Sequence, residues 1–278
     1  MTWRFILIGC IGALIGCASV ARVTQAPVAA VGRLLLPEEE EKRLGDELAA
    51  EVRAREKILD DPEVQAWVDA VQNRLLEAVP PEDQKFGFQT LVIDDPDTVN
   101  AFALPGGHLF IYSGLIATAD SEAEVAAVLA HEIAHVTLDH PAQQLGARLG
   151  VETLRSIALG QTPGAIAQLA TGIAAQGYIA AHSREDETEA DSYGLSYLAG
   201  AGYDPQAMAS FFRKLQGLEG SDPDVVSRFF ASHPSPADRV GRQEALIRER
   251  GYRGGKESIV GNFDQIQARV GGASDNEK

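Results

Sequence analysis

The chain has 278 residues, 45% of them hydrophobic, which is enough to bury a substantial core and excludes disorder as the default reading. Its 24 Lys and Arg against 40 Asp and Glu give a formal net charge of −16, so nucleic acid is not expected as a partner. Acidity of this size bears on solubility more than on fold and by itself marks no recognition surface.

Arg4 precedes an apolar run over residues 5–16 that has the length of a signal-peptide core and is too short to span a bilayer comfortably. The run ends in Leu14-Ile15-Gly16-Cys17, which resembles the lipobox of bacterial lipoproteins, where small residues admit a signal peptidase and the thiol is acylated. Residues 1–16 are therefore expected to be a lipoprotein signal peptide, Cys17 the lipidated N-terminus and 17–36 a tether. Leu7-Ile8-Gly9-Cys10 fits the same pattern less well, because too little apolar sequence precedes it. Both cysteines of the chain, Cys10 and Cys17, lie in this segment, so an exported domain must fold on core packing and bound metal without disulfides.

Past Pro37, the spacing of Leu44, Leu48, Val52 and Leu59 among charges predicts a helix over 38–59. A second helix follows to about 79, capped by Asp61 with Pro62 at its first position. Residues 86–93 read as a strand that ends at Asp94-Asp95-Pro96-Asp97, and the runs 100–104 and 108–113 flank Pro105-Gly106-Gly107, a turn that suggests antiparallel pairing. Ser121-Glu122-Ala123-Glu124 is a capping box, and Val125, Val128, Leu129, Ile133 and Val136 carry a helix on to about 139, with Pro141 marking its end. The stretch 143–181, rich in Ala, Gly, Leu and Ile, predicts two packed helices. Its part from 164 to 181 is uncharged but interrupted by Gln168, Thr171 and Gln176, which favours packing in the protein over contact with lipid.

A further helix runs from about 183 to Ala199-Gly200-Ala201-Gly202, the next is capped by Asp204-Pro205 and reaches about 215, and another runs from Ser235-Pro236 to about 250. Residues 251–278 hold few apolar groups and read as a partly frayed extension, leaving 37–250 as the folded domain. The fold class is α+β and mainly helical, with a small antiparallel sheet beside the helix over 121–139.

On that helix His131-Glu132-Ile133-Ala134-His135 has the form His-Glu-x-x-His, and the i, i+4 spacing sets both imidazoles on one face. Two such nitrogens suit a tetrahedral zinc site, one ion per chain, and a catalytic site needs a third protein ligand. Glu187-Thr188-Glu189-Ala190-Asp191 offers it: Glu187 is assigned as the ligand, and Asp191, one turn on, accepts the spare N–H of a ligating histidine. Glu189 is expected to face solvent. Glu132 is placed to take a proton from water activated by the metal and pass it to the leaving amine. His233, in Ser232-His233-Pro234, is a candidate for one further hydrogen-bonding donor, whereas His140 and His182 carry no such signal.

These motifs, with Ser183 to Asp191, Asn100-Ala101-Phe102-Ala103-Leu104-Pro105-Gly106-Gly107 and Ser232-His233-Pro234, resemble metallopeptidase family forty-eight over roughly 38–250. The family holds CAAX prenyl proteases, a heat-shock membrane protease and periplasmic proteases of outer-membrane quality control. The resemblance implies a gluzincin fold with the ligands assigned above. It also implies that His108, Leu109, Phe110, Ile111 and Tyr112 form a substrate-binding edge strand that pairs with an extended peptide. The chain looks like a compact lipoprotein member without membrane-spanning helices or a helical repeat domain. The resulting expectation is a zinc endopeptidase of unfolded or misassembled envelope proteins, held by lipid on the periplasmic face of the outer membrane. The competing expectation is a zinc-containing chaperone or binding module with little turnover. Residues 143–181 or His233 could cover the site at rest.

Overall fold

The structure, a computed structural model, describes residues 36–162, 164–176, 181–234 and 238–271. The segment expected to be a signal peptide, both cysteines, almost all of the expected tether, the helix start expected at Ser235-Pro236 and the last seven residues of the sequence lie outside the described residues.

Helix α1 (Glu38–Arg55) carries four glutamates in its first turn and Arg53 and Arg55 in its last, which suits the helix dipole, and buries Leu44, Leu48 and Val52. It ends before Leu59, whose N–H donates to the Val92 carbonyl at 2.9 Å, so that apolar position serves a loop laid along the first strand. In α2 (Pro62–Leu76) the Asp61 side chain accepts from the backbone N–H groups of Glu63 and Val64, as its sequence requires.

Three strands, β1 (Gln89–Ile93), β2 (Ala101–Ala103) and β3 (His108–Tyr112), form a sheet in the order β1-β3-β2. β2 and β3 pair antiparallel across the Pro-Gly-Gly turn, where Gly106 and Gly107 take φ of 76° and 91°, conformations that disfavour any side chain. β1, however, runs parallel to β3, so the sheet is mixed. This corrects one expectation: His108, Leu109, Phe110, Ile111 and Tyr112 make the central strand, not an edge. The tight turn folds β2 onto one side of β3 and β1 takes the other, which leaves no backbone edge on β3 for a peptide. His108 is tied instead to α1, with Nε2 2.7 Å from Asp46 Oδ1. The edge strand that packs near the central helix is β2.

Alternation along the strands divides the core. Val92, Ala101, Ala103, Leu109 and Ile111 face the larger cluster, while Ile93, Phe102, Leu104, Phe110 and Tyr112 face a smaller one built on α1. After the short α3 (Ser113–Thr118), α4 (Glu122–Thr137) runs through the larger cluster with every residue buried. Ser121 Oγ accepts from Glu124 N at 3.3 Å, but the Glu124 carboxylate accepts from Asp120 N, at 2.8 Å, one residue earlier than a reciprocal box would have it.

The stretch expected to form two helices holds three: α5 (His140–Leu149), α6 (Val151–Ala158) and α7 (Ala165–Gln176). Gly150, at φ 79°, breaks the first from the second. α7 packs along α1 and buries Ala170 and Ile173 in the smaller cluster, and among the described residues no helix is long and apolar enough to cross a membrane.

The remaining helices are α8 (Arg184–Gly200), α9 (Gln206–Ser221), α10 (Pro223–Ser232), α11 (Arg239–Glu249) and α12 (Phe263–Gly271). α10 and α12 were not expected. α12 buries Phe263, Ile266 and Val270, few apolar groups but all on one face, and so carries the fold past residue 250 to 271. The Glu122 carboxylate, at the start of α4, holds the segment before α12. It accepts from Tyr203 Oη at 2.7 Å and from Ser258 Oγ and the backbone N–H groups of Ile259, Val260 and Gly261, each at 2.8 Å.

Candidate active site

α4 and α8 cross at close range. A Cβ on Gly194 would lie 3.1 Å from the backbone N and Cα of His131, so glycine there lets α8 approach α4 closely enough to set Glu187 and Asp191 against the two histidines. The Ser183–Asp186 capping box fixes where α8 begins. His182 N donates to Ser232 O at 2.9 Å, which ties the start of α8 to the end of α10 and brings His233 over the same spot.

The sequence-assigned residues converge. Ligand atoms of His131, His135, Glu187 and His233 all lie within 4.8 Å of one another, and all four side chains are buried. His131 Nε2 and His135 Nε2 are 3.0 Å apart, and they sit 3.5 Å from Glu187 Oε2 and 3.4 Å from Glu187 Oε1 respectively. Asp191 Oδ1 stands 3.3 Å from His131 Nδ1, the side of the ring turned away from the cluster. His233 Nδ1 is 3.0 Å from Glu187 Oε1, and its Nε2 is 3.3 Å from Glu132 Oε1.

Two residues that matter here carried no sequence signal. Arg239, at the start of α11 and fully buried, donates from Nη1 to Glu187 Oε2 at 2.5 Å, and from Nε and Nη2 to Asp191 at 2.8 and 2.7 Å. Its guanidinium lies 3.7 Å from the Phe212 ring centroid. An arginine near a candidate histidine is too common to single out, and only the packing of α11 on α8 reveals this one. His140 is the second: its Nδ1 is 2.9 Å from His135 Nδ1. Its Nε2 is 3.4 Å from Glu189 Oε2, while the Glu189 side chain remains exposed, as its helical position suggested.

The charges are arranged for a cation. Burial works against ionising Glu187, but Arg239, His233 and His131 outweigh it and hold its carboxyl well below the usual range. Asp191 is likewise held low, burial being overcome by Arg239 and His131. Burial opposes charge on His131 too, yet Glu187 and Asp191 push it up to about 9. Burial presses His135 well below its ordinary value and raises Glu132, whose two carboxylate oxygens find no hydrogen-bond partner among the described residues. Two buried carboxylates held ionised, Glu187 and Asp191, thus share Arg239, with Glu132 close by. Two imidazole nitrogens and a carboxylate oxygen at this spacing, beside an orphaned Glu132, fit zinc by the chemistry of the donor set.

A buried helix presenting His-Glu-x-x-His, crossed by one presenting Glu-x-x-x-Asp beside a small mixed sheet, defines a zincin-type metallopeptidase domain. The chain belongs to peptidase family M48, with residues 62–247 matching that family. It is similar to the beta-barrel assembly-enhancing protease of Escherichia coli (strain K12), 34% identical over 213 residues, which cover 72% of this chain and 42% of the relative. A counterpart in Vibrio cholerae serotype O1 is 35% identical over 218 residues, covering 74% and 43%. The mitochondrial metalloendopeptidase OMA1 of Schizosaccharomyces pombe is 32% identical over 183 residues, covering 66% and 53%. The match therefore spans less than half the length of the bacterial relatives and about half of the yeast one.

Proposed function

We propose that the protein is a zinc-dependent endopeptidase that cleaves unfolded or misassembled cell-envelope proteins. The observation that carries this reading is the convergence of His131, His135 and Glu187 beside a buried Glu132 whose oxygens have no hydrogen-bond partner among the described residues. His131, His135 and Glu187 would hold the ion, which when bound supplies Lewis acidity that acidifies water and polarises a carbonyl. Glu132 accepts the proton that the attacking water sheds as its oxygen bonds to the scissile carbonyl carbon. It then delivers that proton to the amine nitrogen as the C–N bond breaks. Burial raises the affinity of Glu132 for a proton, which suits a group that must gain one and give it back. Asp191 Oδ1, 3.3 Å from His131 Nδ1, is itself pinned by Arg239, so a fixed negative charge faces the far side of the first ligand's ring.

His233 stands between Glu187 and Glu132 and contributes a fourth nitrogen to the cluster. We read this as the resting arrangement, in which an imidazole fills the space a substrate carbonyl would need. The same observation favours the second reading, a zinc-holding binding or chaperone module with little turnover. The two separate in one experiment on the purified protein: metal analysis beside casein cleavage by wild type and His233→Ala. One zinc per chain, with cleavage that a chelator abolishes and added zinc restores, is the expected result. Zinc-loaded protein that leaves casein intact in both forms would establish the binding module instead.

The relatives named as enhancing β-barrel assembly support an envelope setting. For this chain we propose export and acylation at Cys17, with anchoring on the periplasmic face of the outer membrane, since Ala18 is not an aspartate of the kind that retains lipoproteins at the inner membrane. Cys17→Ser is expected to move the protein from the membrane pellet to the soluble fraction, and continued sedimentation would reject the lipid.

A further inference from the structure

Five residues past His135, at the first position of α5, His140 is buried to 1% exposure and makes the closest polar contact of the His135 ring on the side away from Glu187. Asp139 makes this possible. It sits at the break between α4 and α5 with φ 60°, held there by Lys85, whose Nζ donates to both carboxylate oxygens at 2.9 and 2.8 Å. The left-handed residue turns the chain back so that the ring of His140 faces His135 edge to face, with centroids 5.0 Å apart. Beyond His140, Glu189 Oε2 lies 3.4 Å and Asp186 Oδ1 3.8 Å from its Nε2.

With both imidazoles neutral, the contacts along this line fit one arrangement. A carboxylate has only lone pairs, so His140 must present Nε2–H to Glu189 and keep a lone pair on Nδ1. That lone pair accepts a proton donated by His135 Nδ1, which leaves the lone pair of His135 on Nε2, the atom facing His131 and Glu187. In the reverse arrangement a proton would sit on His135 Nε2 and block it as a donor to a metal.

We propose that His140, oriented by Glu189, is a positioning residue that selects the metal-binding tautomer of His135 and fixes its ring, as Asp191 does for His131. The proposal rests on His135 being a ligand, the reading given above. The same nitrogens cannot hold a second ion while the first is bound: His135, His140 and His182 lie within 4.8 Å of one another, but His135 Nδ1 must carry a proton when Nε2 coordinates.

The test measures zinc affinity of the full chain by competition with a chromophoric chelator, for His140→Ala, His140→Asn, Glu189→Leu and His135→Ala, with thermal unfolding of each zinc-free form to confirm folding. His140→Ala should weaken zinc binding about 10- to 100-fold. Asn keeps an oxygen acceptor where Nδ1 was, so His140→Asn should recover most of that loss, and Glu189→Leu should fall between alanine and wild type. In the zinc-loaded wild type the His135 Nδ1 proton should appear in long-range nitrogen–proton spectra as slowly exchanging, and in His140→Ala it should broaden. Wild-type affinity in His140→Ala, or two zinc ions per chain, would overturn the proposal. Wild-type affinity in His135→Ala would instead overturn the ligand assignment beneath it.

Discussion

Glu132→Gln should bind one zinc with near wild-type affinity and lose at least about 100-fold in the rate of casein cleavage, the low end of what positioned proton transfer contributes. The amide keeps the size and shape of the side chain, and neither Glu132 oxygen has a hydrogen-bond partner to lose, so folding is not expected to suffer. What disappears is the ability to take a proton from water and return it to the departing amine. Stability should if anything rise slightly at neutral pH, because burial makes the charged form of Glu132 costly and glutamine carries no charge. Equal cleavage by wild type and Glu132→Gln, at equal zinc content, would remove Glu132 from the mechanism.

Arg239→Ala should destabilise the zinc-free protein by about 3–5 kcal/mol, because it leaves Glu187 and Asp191 charged and buried without their shared partner. The guanidinium is fully buried, bridges both carboxylates and rests on Phe212, so one substitution removes three contacts at once. Saturating zinc should recover part of the deficit, since the ion brings positive charge to Glu187. Arg239→Lys should fall between, because an ammonium cannot span two carboxylates as a planar fork does. The pH dependence has a definite sign. Asp191 is held below its ordinary value of 3.8, burial being outweighed first by Arg239, so its pairing stabilises the fold above that value and the stabilisation fades as pH falls through the lower, folded-state pKa. Without Arg239, burial is no longer outweighed and raises both carboxyls of the variant, so the gap between wild type and Arg239→Ala, measured by denaturant unfolding without zinc, should be full where the variant's carboxylates are ionised and narrow as falling pH protonates them. A gap that stays constant or widens as the pH falls would mean that the carboxylates are not what Arg239 stabilises.

The cluster of candidate ligands was legible because helical periodicity turns a five-residue spacing into a geometry. His131 and His135 share a face of α4 by the i, i+4 rule, and Glu187 and Asp191 share one of α8, so local sequence was enough to choose Glu187 over Glu189. The helix starts at Asp61, Ser121 and Ser183 were equally readable, because a cap is a contact within three residues. The β2–β3 hairpin followed from its turn, whereas the parallel pairing of β1 did not, since no local signal records which side of β3 a strand separated from it by a long connection will take. That choice made β3 central and moved the sheet edge to β2.

What the sequence by itself determined is the set of groups on which the proposed chemistry rests: two histidines and a carboxylate at helical spacing, a neighbouring glutamate, and an apolar pattern long enough to bury them. Only the tertiary structure decided how that chemistry is held. Arg239 reaches Glu187 and Asp191 from about fifty residues downstream, within the 48- and 52-residue separations of its contacts, and His140 reaches His135 because Asp139 turns the chain back. Such partners are chosen by which helix ends meet in space. A buried charge must find its counter-charge wherever the packing of whole helices places one, and no residue pattern along the chain encodes that meeting.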